Sequence, residues 1–589
     1  MSKRAAWWLA CLLVAGYWQQ ALGAAQPHQP FLHATRRSAP HRHVPVHEGC
    51  AVIANGPDAI VFSATECKGA VAHASFQRGK HTRHGWSQFS VHTFNTTDDL
   101  TQLRAAGFLE GYFTAREIQA HYNNVVSTFN TSQAQRDWLL EQHAWSRSQA
   151  TEQGPSSPAW RAVGLTLAQL EGMVLGYAAR RRAEGDALRD LGLVAFLETS
   201  SVGDLGDIRR AIAVRQSLRT ATAQGDLLAP WAGMGPQEVV RELTQGGRCS
   251  ALVSVTPDLS DLLLGHSAWF TFGGMVRVYK HYRCALSDPD LPGTALSFSS
   301  YPGELSSDDD FYLTSTGLVV LQTTNRVLNE SLFHDVHAHS LPSWQRERVA
   351  CWTARDGPAW AAAVAAHNSG TGNNQWMVAD LGRFAPGADL TPGLLTIVEQ
   401  IPGRVAVWDG TPHLERGYWP SYNIPADPGV YAASGYAAAA AALAARGPAW
   451  AAAAAALSYH RAPRAAIFRR DASGVRDLAT LRALLRANRW PHDPLGGGSA
   501  LGAICGRGDA GAGHPAAYGC IDTKVTRWAA ALRREAQAVN GPTATPALPP
   551  FDWGRVNASL ARATPHEGQP RRFEYEFAWM TPDATRWER

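Results

Sequence analysis

The chain has 589 residues, of which 45% are hydrophobic and 18% are charged. A chain of this length and composition can bury a large core, which excludes an intrinsically disordered protein. Its formal net charge of +4 falls to +2 if an N-terminal segment containing Lys3 and Arg4 is removed, so composition does not indicate nucleic acid as a partner.

Residues 1–23 have the pattern of a secretory signal peptide. Lys3 and Arg4 precede an apolar run from Ala5 to Tyr17, and the small residues at 21–23 offer a cleavage site. The run is too short to span a bilayer. Residues 24–48 are rich in His, Pro and Arg without helix or strand periodicity, so we predict a mobile leader there rather than a metal site.

Four N-glycosylation sequons are consistent with the secretory route. Their asparagines are Asn95, Asn130, Asn329 and Asn557. We therefore expect a glycoprotein that is lysosomal, secreted or both. In an acidic lumen many of the 22 histidines would be protonated, and the added positive charge favours contact with anionic membrane surfaces.

The eight cysteines can be counted once an oxidising compartment is expected. Cys11 leaves with the signal peptide, so an odd number remains. Cys50 with Cys67 and Cys505 with Cys520 are plausible disulfides because each pair closes a short, turn-rich loop, although spacing alone cannot fix the connectivity. Cys284 and Cys351 either pair or stay as buried thiols. Cys249 is the natural leftover.

Secondary-structure patterns change along the chain. Residues 51–92 are strand-like, and residues 99–196 have helical apolar spacing. From Cys249 onward strands are predicted at 251–255, 269–279, 295–301, 310–316, 318–324, 375–381, 394–401 and 405–408. Helices are predicted again within 344–354, 475–488 and 526–542, and the alanine runs at 437–445 and 451–456 indicate helix or low-complexity sequence. This order predicts a layered α/β sandwich in one large domain.

A single thiol stands where a glycine-containing stretch becomes a strand, in GGRCSALVSV at residues 246–255. If the bond between Arg248 and Cys249 is cut, Cys249 gains a free α-amine with a reference pKa of about 7.7–8.0. Such an amine can accept the proton of the adjacent thiol, so one residue supplies both nucleophile and base. The glycines permit a strained turn before the bond, and the strand fixes the new terminus. The pattern is typical of N-terminal nucleophile chemistry.

Eight ordered motifs surround and follow this thiol. They are RCSALVSVTPDLSDLLLGHSAWFTF, LSFSSYPG, DDFYLTSTGLVVLQTTN, NSGTGNNQWMVADL, IVEQIPG, GYWPSYNIP, PRAAIFRRD and GCIDTKV. From about residue 86 to the C-terminus the chain resembles the phospholipase B-like family of lysosomal N-terminal nucleophile hydrolases.

The resemblance implies an αββα sandwich, with antiparallel sheets between helical layers. It also implies self-processing into two associated fragments, a largely helical one at 49–248 and one at 249–589 that begins at the nucleophile. The implied activity is removal of fatty acyl chains from glycerophospholipids through an acyl-enzyme, with a phospholipid or another acyl lipid as partner. No metal or organic cofactor is implied.

The family's site residues map onto six positions of this sequence. They are Cys249, His266, Trp269, Thr324, Asn423 and Arg464. Cys249 is the expected nucleophile, and His266 is expected to orient it or to transfer protons. Asn423 is a candidate oxyanion donor, Thr324 a hydroxyl donor or a group that orients the amine, and Arg464 a fixed positive charge.

Trp269 is the expected wall of an acyl pocket. Arg248 stands where the family usually has histidine before the nucleophile. This substitution bears on the efficiency of cleavage and on which bond is cut.

Other readings of the chain remain open at this point. The same fold and nucleophile would suit an amidase acting on N-acyl lipids or peptide-like amides, because esters and amides both pass through an oxyanion. A non-enzymatic lipid-binding glycoprotein is a further alternative. A serine lipase using Ser267 is disfavoured because Trp269 stands where the nucleophile elbow needs glycine. The Arg507-Gly508-Asp509 tripeptide would suit an adhesive ligand, but it arises readily by chance.

Overall fold

The structure is a computed structural model that describes residues 44–54, 60–219, 227–245, 248–510 and 515–582. The predicted signal peptide, residues 24–43 of the predicted leader and the two glycines before Arg248 lie outside these residues. The leader was predicted to end at residue 48, but the first strand begins at Val46. That boundary is therefore too late, because Val46–Glu48 pair with the strand at Ala72–Gln77.

Eighteen strands are found in the described part of the chain. They are β1 Val46–Ile53, β2 Ile60–Ser63, β3 Ala72–Gln77, β4 Ser87–Thr93, β5 Cys249–Val255, β6 Leu262–Thr271, β7 Val278–Arg283, β8 Ala295–Ser300, β9 Phe311–Thr314, β10 Leu318–Thr324, β11 Asn374–Asp380, β12 Leu395–Ile401, β13 Arg404–Asp409, β14 Tyr418–Ser421, β15 Tyr518–Cys520, β16 Asp522–Arg527, β17 Ala536–Asn540 and β18 Ala578–Met580.

The α-helices flank and connect these strands. They are α1 Asp99–Phe113, α2 Ala115–Asn124, α3 Gln133–Gln153, α4 Pro158–Glu184, α5 Leu193–Ser200, α6 Val202–Arg219, α7 Pro236–Gln245, α8 Ser343–Thr353, α9 Gly357–Ala365, α10 Thr411–Leu414, α11 Pro428–Ala433, α12 Tyr436–Ala445, α13 Ala451–Ala456, α14 Pro463–Asp471, α15 Leu478–Leu485, α16 Trp528–Ala531 and α17 Ala558–Ala563.

The strands form two sheets. The larger has eleven strands in the order β13-β12-β11-β10-β9-β8-β7-β4-β3-β1-β2, and the smaller has seven, in the order β14-β5-β6-β16-β17-β18 with β15 also paired to β6. In the larger sheet β4 and β7 are parallel, whereas the pairs of the smaller sheet are antiparallel. The fold is thus α/β, with one mixed and one antiparallel sheet.

The two sheets pack face to face. Apolar side chains of β5 and β6, such as Val253 and Leu264, form one buried cluster with Val319 and Leu321 of β10 and Met377 of β11. All seven residues of β5 are buried, which explains its continuous run of small and aliphatic residues. Strand β5 is therefore packed between the larger sheet on one face and helices α12, α14 and α15 on the other.

Helices cover the outer face of each sheet. Helices α1, α8 and α9 share a core with the larger sheet, and α12, α14 and α15 share a core with β5, β6 and β16. Helices α1 and α4 approach closely through glycines: a Cβ at Gly107 would lie 1.9 Å from the Gln169 carbonyl oxygen, and one at Gly172 would lie 1.9 Å from that of Arg104. The close contact holds α1 and α4 together on the outer face of the larger sheet.

Helix α4 is long and apolar enough to cross a membrane by length and composition. Its most apolar window is 67% buried inside the molecule, which is typical of a core helix. It packs against α1 in the core just described.

One strand assignment and one helix assignment from the sequence were wrong. The segment 269–279 is not one strand, because β6 ends at Thr271 and β7 begins at Val278 after a 3-10 turn. The predicted helix at 526–542 contains only the short α16, and Ala536–Asn540 is a strand paired with β16. The alanine runs are helical, in α12 and α13.

The structure contains disulfides between Cys50 and Cys67 and between Cys505 and Cys520, the two pairs expected from spacing. Cys249, Cys284 and Cys351 are buried free thiols. Cys284 and Cys351 belong to different core clusters, so the paired alternative does not apply to them.

Candidate active site

Cys249 is the first residue of β5 and pairs with Ala268 of β6. Only 4% of the Cys249 surface is exposed to solvent. Burial raises the pKa of the thiol to about 12 in the uncleaved chain, and a hydrogen bond with the Trp269 backbone opposes this rise. An internal thiol in this place is therefore a weak nucleophile that needs an adjacent base.

Asn423 binds the peptide on both sides of the Arg248–Cys249 bond. It lies two residues after β14, the strand that pairs with β5. Its Oδ1 accepts hydrogen bonds from the backbone N–H of Arg248 at 2.9 Å and of Cys249 at 3.2 Å. Its φ of 70° is in the left-handed region, which asparagine tolerates better than most residues. The strained turn aims the amide at the bond expected to be cut.

Arg464 completes this cluster from the first turn of α14. Its Nη2 donates to Asn423 Oδ1 at 2.7 Å, and its Nη1 donates to the Cys249 carbonyl and to Ser250 Oγ. Burial lowers the pKa of Arg464 to about 10, so the guanidinium stays charged at neutral and acidic pH. Three donors therefore converge on Asn423 Oδ1, and this fixes the orientation of the amide.

Thr324 enters the cluster through its backbone. Asn423 Nδ2 donates to the Thr324 carbonyl at 2.8 Å. This contact differs from the expectation that the Asn423 amide is free to donate to an oxyanion, because its donor side is engaged in the uncleaved chain. The Thr324 side chain is half-buried and lines the same cavity as Cys249.

Trp269 lies beside Arg464. The Arg464 guanidinium carbon stands 4.8 Å from its ring centre, and its Nε1 donates to the Ile504 carbonyl at 3.1 Å. Because side chains alternate along a strand, Trp269 and its neighbour Ala268, which pairs with Cys249, point to opposite faces of the sheet. The indole thus packs against Arg464 on one face and the thiol points to the other, and both residues border the same cavity.

His266 is buried in a cluster of charged groups. The Lys524 ammonium donates to its Nδ1 at 3.1 Å, and Lys524 also binds Asp522 at 2.7 Å and Asp309. Burial and then the Lys524 charge lower the pKa of His266 well below its usual value, so the ring is neutral with its proton on Nε2. His266 is not among the residues that line the Cys249 cavity.

Arg277 extends this cluster with ion pairs to Asp309 at 2.9 Å and to Asp522 at 3.2 Å. Burial alone would raise the pKa of Asp309, but Arg277 and Lys524 hold it below its usual value. Sequence reasoning assigned no role to Lys524 or Asp309, although both stand in the motifs quoted above. A signal was present, because Asp522 and Lys524 occupy alternate positions of a strand and so face the same side.

A cavity of about 410 Å³ opens beside Cys249. Its charged lining is mixed. The acidic side chains are Asp207, Glu242, Asp308, Asp309 and Glu347, and the basic ones are Arg210, Arg248 and Arg326. This volume is within the roughly 300–1,000 Å³ typical of small-molecule sites.

Two rival sites are not accessible. Ser267 is fully buried within β6, and its hydroxyl bonds to the Leu485 carbonyl at 2.8 Å and to Thr523. Arg507 is 3% exposed and forms a bidentate pair with Asp509 at 2.7 and 2.6 Å. Neither a serine lipase centre nor an adhesive tripeptide fits these positions.

The sequon asparagines Asn95, Asn130 and Asn557 are exposed. Asn329 is half-buried, and its Nδ2 donates to the Ala433 carbonyl at 3.2 Å. Three of the four predicted glycosylation sites are thus accessible in this structure, and the fourth has its amide engaged.

Comparison with known proteins places the chain among relatives of similar length. The family described as Phospholipase B matches residues 72–582. Phospholipase B-like 1 of Bos taurus is 38% identical over 505 residues, which cover 85% of this chain and 86% of the relative. Phospholipase B-like 1 of Homo sapiens is also 38% identical over 505 residues, with 85% of each chain covered. Phospholipase B of Crotalus adamanteus is 36% identical over 487 residues, with 82% of each chain covered.

Proposed function

The chain belongs to the phospholipase B family, and on this premise we propose that it removes fatty acyl chains from glycerophospholipids with Cys249 as an N-terminal nucleophile. The observation that carries the proposal is the convergence of Asn423 and Arg464 on the peptide at the start of β5. Two stacked sheets between helical layers also suit the N-terminal nucleophile hydrolase fold that the proposal requires.

The first step is cleavage of the Arg248–Cys249 bond. Cys249 Sγ attacks the Arg248 carbonyl carbon, the C–N bond breaks, and the thiol proton passes to the departing Cys249 nitrogen. Water then hydrolyses the resulting thioester and leaves an Arg248 carboxylate, a free Cys249 thiol and a free α-amine. Asn423 Oδ1 holds the nitrogen that leaves, since it already accepts the Cys249 N–H.

Ester hydrolysis follows the same chemistry in the mature protein. The α-amine accepts the thiol proton, and the thiolate attacks the acyl carbonyl to form a tetrahedral oxyanion. Collapse expels the lysophospholipid alcohol, which takes the proton from the ammonium, and leaves an acyl-thioester that water hydrolyses to a fatty acid. In the uncleaved chain the side-chain donors of both Asn423 and Arg464 are engaged, so an oxyanion must take one of them from its present acceptor.

The two fragments are proposed to remain associated after cleavage. Strands β1 to β4 precede Cys249, and β4 pairs in parallel with β7, which follows it. Cutting the chain at residue 248 leaves these ladder hydrogen bonds intact. The protein is further proposed to be a glycosylated lysosomal or secreted enzyme that works at a membrane surface, without a metal or organic cofactor.

The test of the nucleophile is the N-terminal sequence of each polypeptide in protein purified at acidic pH. A fragment that begins Cys-Ser-Ala-Leu, absent in Cys249→Ala, is the expected result. An intact wild-type chain that binds lipid without turnover would instead favour a non-enzymatic lipid-binding protein.

Substrate class is tested by parallel hydrolysis of a phosphatidylcholine and an N-acyl amide with the same acyl chain. The proposal expects the ester to be cleaved with the higher kcat/KM. A preference for the amide would keep the nucleophile and assign an amidase.

A further inference from the structure

Ser250, the residue after the proposed nucleophile, contacts Arg464, although sequence analysis assigned it no role. Ser250 is fully buried in β5. Its Oγ accepts a hydrogen bond from Arg464 Nη1 at 3.2 Å, and the same nitrogen donates to the Cys249 carbonyl. The hydrogen-bond acceptors of Arg464 in the described part of the chain are all neutral groups. The direction of this guanidinium is therefore set by hydrogen bonds and not by a carboxylate partner.

The Ser250 hydroxyl accepts from Arg464 because its own proton is used elsewhere. A hydroxyl carries one donor and two acceptor lone pairs. Ser250 Oγ donates to the Ile504 carbonyl at 2.8 Å, which turns the lone pairs of the oxygen toward Arg464. Each hydrogen bond in such a chain polarises the next. The Ile504 carbonyl thus fixes the Ser250 hydroxyl as an acceptor for Arg464.

The Ile504 carbonyl stands next to a disulfide that is tied to the site. It also accepts from Trp269 Nε1 at 3.1 Å, and the centre of the Trp269 ring lies 4.8 Å from the Arg464 guanidinium carbon. Cys505 forms a disulfide with Cys520, which pairs with Trp269 across β15 and β6. Trp269, Cys505 and Cys520 belong to one buried cluster. The disulfide therefore links the chain at residue 504 to the strand that carries Trp269.

Backbone contacts on both sides of the disulfide leave this carbonyl little room to move. The Cys505 N–H donates to the Ala487 carbonyl at 3.1 Å, and the Cys520 N–H donates to the Gly506 carbonyl at 2.9 Å. A Cβ at Gly506 would lie 2.4 Å from the Trp269 ring, so only glycine allows this close approach. The segment that carries the Ile504 carbonyl is thus packed directly against the indole.

We propose that Ser250 is a positioning residue of the self-cleaving site. Its hydroxyl, directed by the Ile504 carbonyl, holds Arg464 in the orientation that reaches Asn423. The adjacent disulfide acts on the site through the same carbonyl. The assignment rests on the proposed function in naming self-cleavage, and it adds a residue outside the six family positions and a role for one disulfide in the site itself.

The direct test is the rate of self-cleavage of Ser250→Ala, followed as the fraction of cleaved chain against time. We expect cleavage about tenfold slower than in the wild type, since one hydrogen bond to a charged group is lost. Ser267→Ala is the matched control. Ser267 pairs with Ser250 across β5 and β6, is also fully buried, and donates to the Leu485 carbonyl at 2.8 Å.

The control loses the same kind of hydrogen bond away from Arg464, so Ser267→Ala should cleave at the wild-type rate. Ser250→Thr keeps the hydroxyl and should restore cleavage, which a loss of packing alone would not explain. Equal cleavage rates for Ser250→Ala and Ser267→Ala overturn the positioning role.

The two disulfides give a second matched pair. Their cysteines are separated by 15 residues in Cys505–Cys520 and by 17 in Cys50–Cys67, so removing either bond should affect the unfolded chain similarly. Cys505→Ala/Cys520→Ala should slow cleavage by up to about the tenfold expected of Ser250→Ala. Cys50→Ala/Cys67→Ala should leave the rate unchanged. Equal rates in the two double variants overturn the role of the disulfide, and Ser250→Ala decides the proposal if either double variant fails to fold.

A further arm needs no cleavage, because amide hydrogen exchange can be measured in uncleaved Cys249→Ala. The amides of residues 248 and 249 are held by Asn423 Oδ1. Adding Ser250→Ala should speed exchange at these two amides by about tenfold, whereas adding Ser267→Ala should not. Faster exchange in a protein whose wild type is never cleaved would overturn the proposed function and support the positioning role. Unchanged exchange overturns the positioning role whether or not the wild type cleaves.

Discussion

The two charged clusters near Cys249 are built in opposite ways. On one side Asn423 and Arg464 direct their hydrogen bonds to the peptide groups of residues 248 and 249. On the other side Lys524 and Asp309 bind mainly each other and their charged neighbours, and both are almost completely buried. The first cluster therefore binds the peptide bond expected to be cut, whereas the charged groups of the second bind one another.

This difference suggests that the Asn423 and Arg464 side chains take part in the reaction, whereas the Lys524 and Asp309 cluster supports the site. A neutral His266, fixed by Lys524 with its proton on Nε2, is poorly suited to carry protons to and from the thiol. The α-amine released at Cys249 is the better base, since its reference pKa of about 7.7–8.0 lies near working pH. The buried cluster then acts on the site by positioning β6 and β16 and by setting the local charge.

The largest effect is expected from Lys524→Met. It removes one of the two buried cations, Lys524 and Arg277, that pair with both Asp309 and Asp522, which should lower the free energy of unfolding by about 3–5 kcal/mol. Denaturant unfolding followed by circular dichroism measures this loss. Lys80→Met, at an exposed position, is the matched control. A loss for Lys524→Met below about 1 kcal/mol, the value of surface pairs, would show that the two clusters are not different in kind.

Asn423→Gly tests the opposite side of the comparison. Glycine accepts the positive φ of this position without strain, so the variant removes the side chain alone. We expect cleavage at residue 248 to slow by about 10²–10³-fold, and the loss of the Asn423 hydrogen bonds should lower the free energy of unfolding by about 1–3 kcal/mol. The measurement is the fraction of cleaved chain against time by gel electrophoresis. Normal cleavage in this variant would mean that the amide does not act on the scissile bond.

Much of the fold could be predicted where a strand is buried on both faces. The run after Cys249 consists of small and aliphatic residues, and it forms β5 as expected. The segment 526–542 failed because its Ala, Leu, Arg and Glu residues favour helix in isolation, while pairing with β16 makes its second half a strand. The parallel pairing of β4 with β7 joins segments that are distant in sequence, so no local pattern could show it.

The site was predictable to the extent that it lies in recognisable motifs. Cys249 could be singled out from cysteine parity and its place before a strand, and Asn423 and Arg464 came from motif resemblance. Lys524 and Asp309 were missed because charged residues in a sequence are normally assigned to the surface. Only the packing of the two sheets shows that these two charges are buried together.

Arg464→Lys gives a smaller effect on the Asn423 side. Lysine keeps the charge but loses the planar fork that reaches Asn423 Oδ1 and the Cys249 carbonyl together. We expect cleavage to slow by about tenfold, since one charge-assisted hydrogen bond is lost. Arg469→Lys, exposed on the same helix, should cleave at the wild-type rate. If both variants cleave alike, the bidentate contact has no role in cleavage.

The smallest effect concerns the cavity beside Cys249, which Asp308 and Asp309 line. Burial and then the charge of Glu304 raise the pKa of Asp308 to about 8, with Arg248 opposing the rise. A carboxyl whose pKa is higher in the folded chain stabilises it below the unfolded pKa near 4, and that stability is lost as pH rises through about 8.

Histidines of the unfolded chain still lose protons near pH 6.5, but their contribution is the same with and without Asp308→Asn, so the comparison of the two proteins isolates the carboxyl. Between pH 6.5 and 8.5 we expect the Tm of uncleaved Cys249→Ala to fall by about 2 °C more than that of the same protein with Asp308→Asn added. An equal fall in both would move the titration to Glu304, whose pKa burial likewise raises to about 8, and would leave Asp308 ionised beside Arg248 throughout.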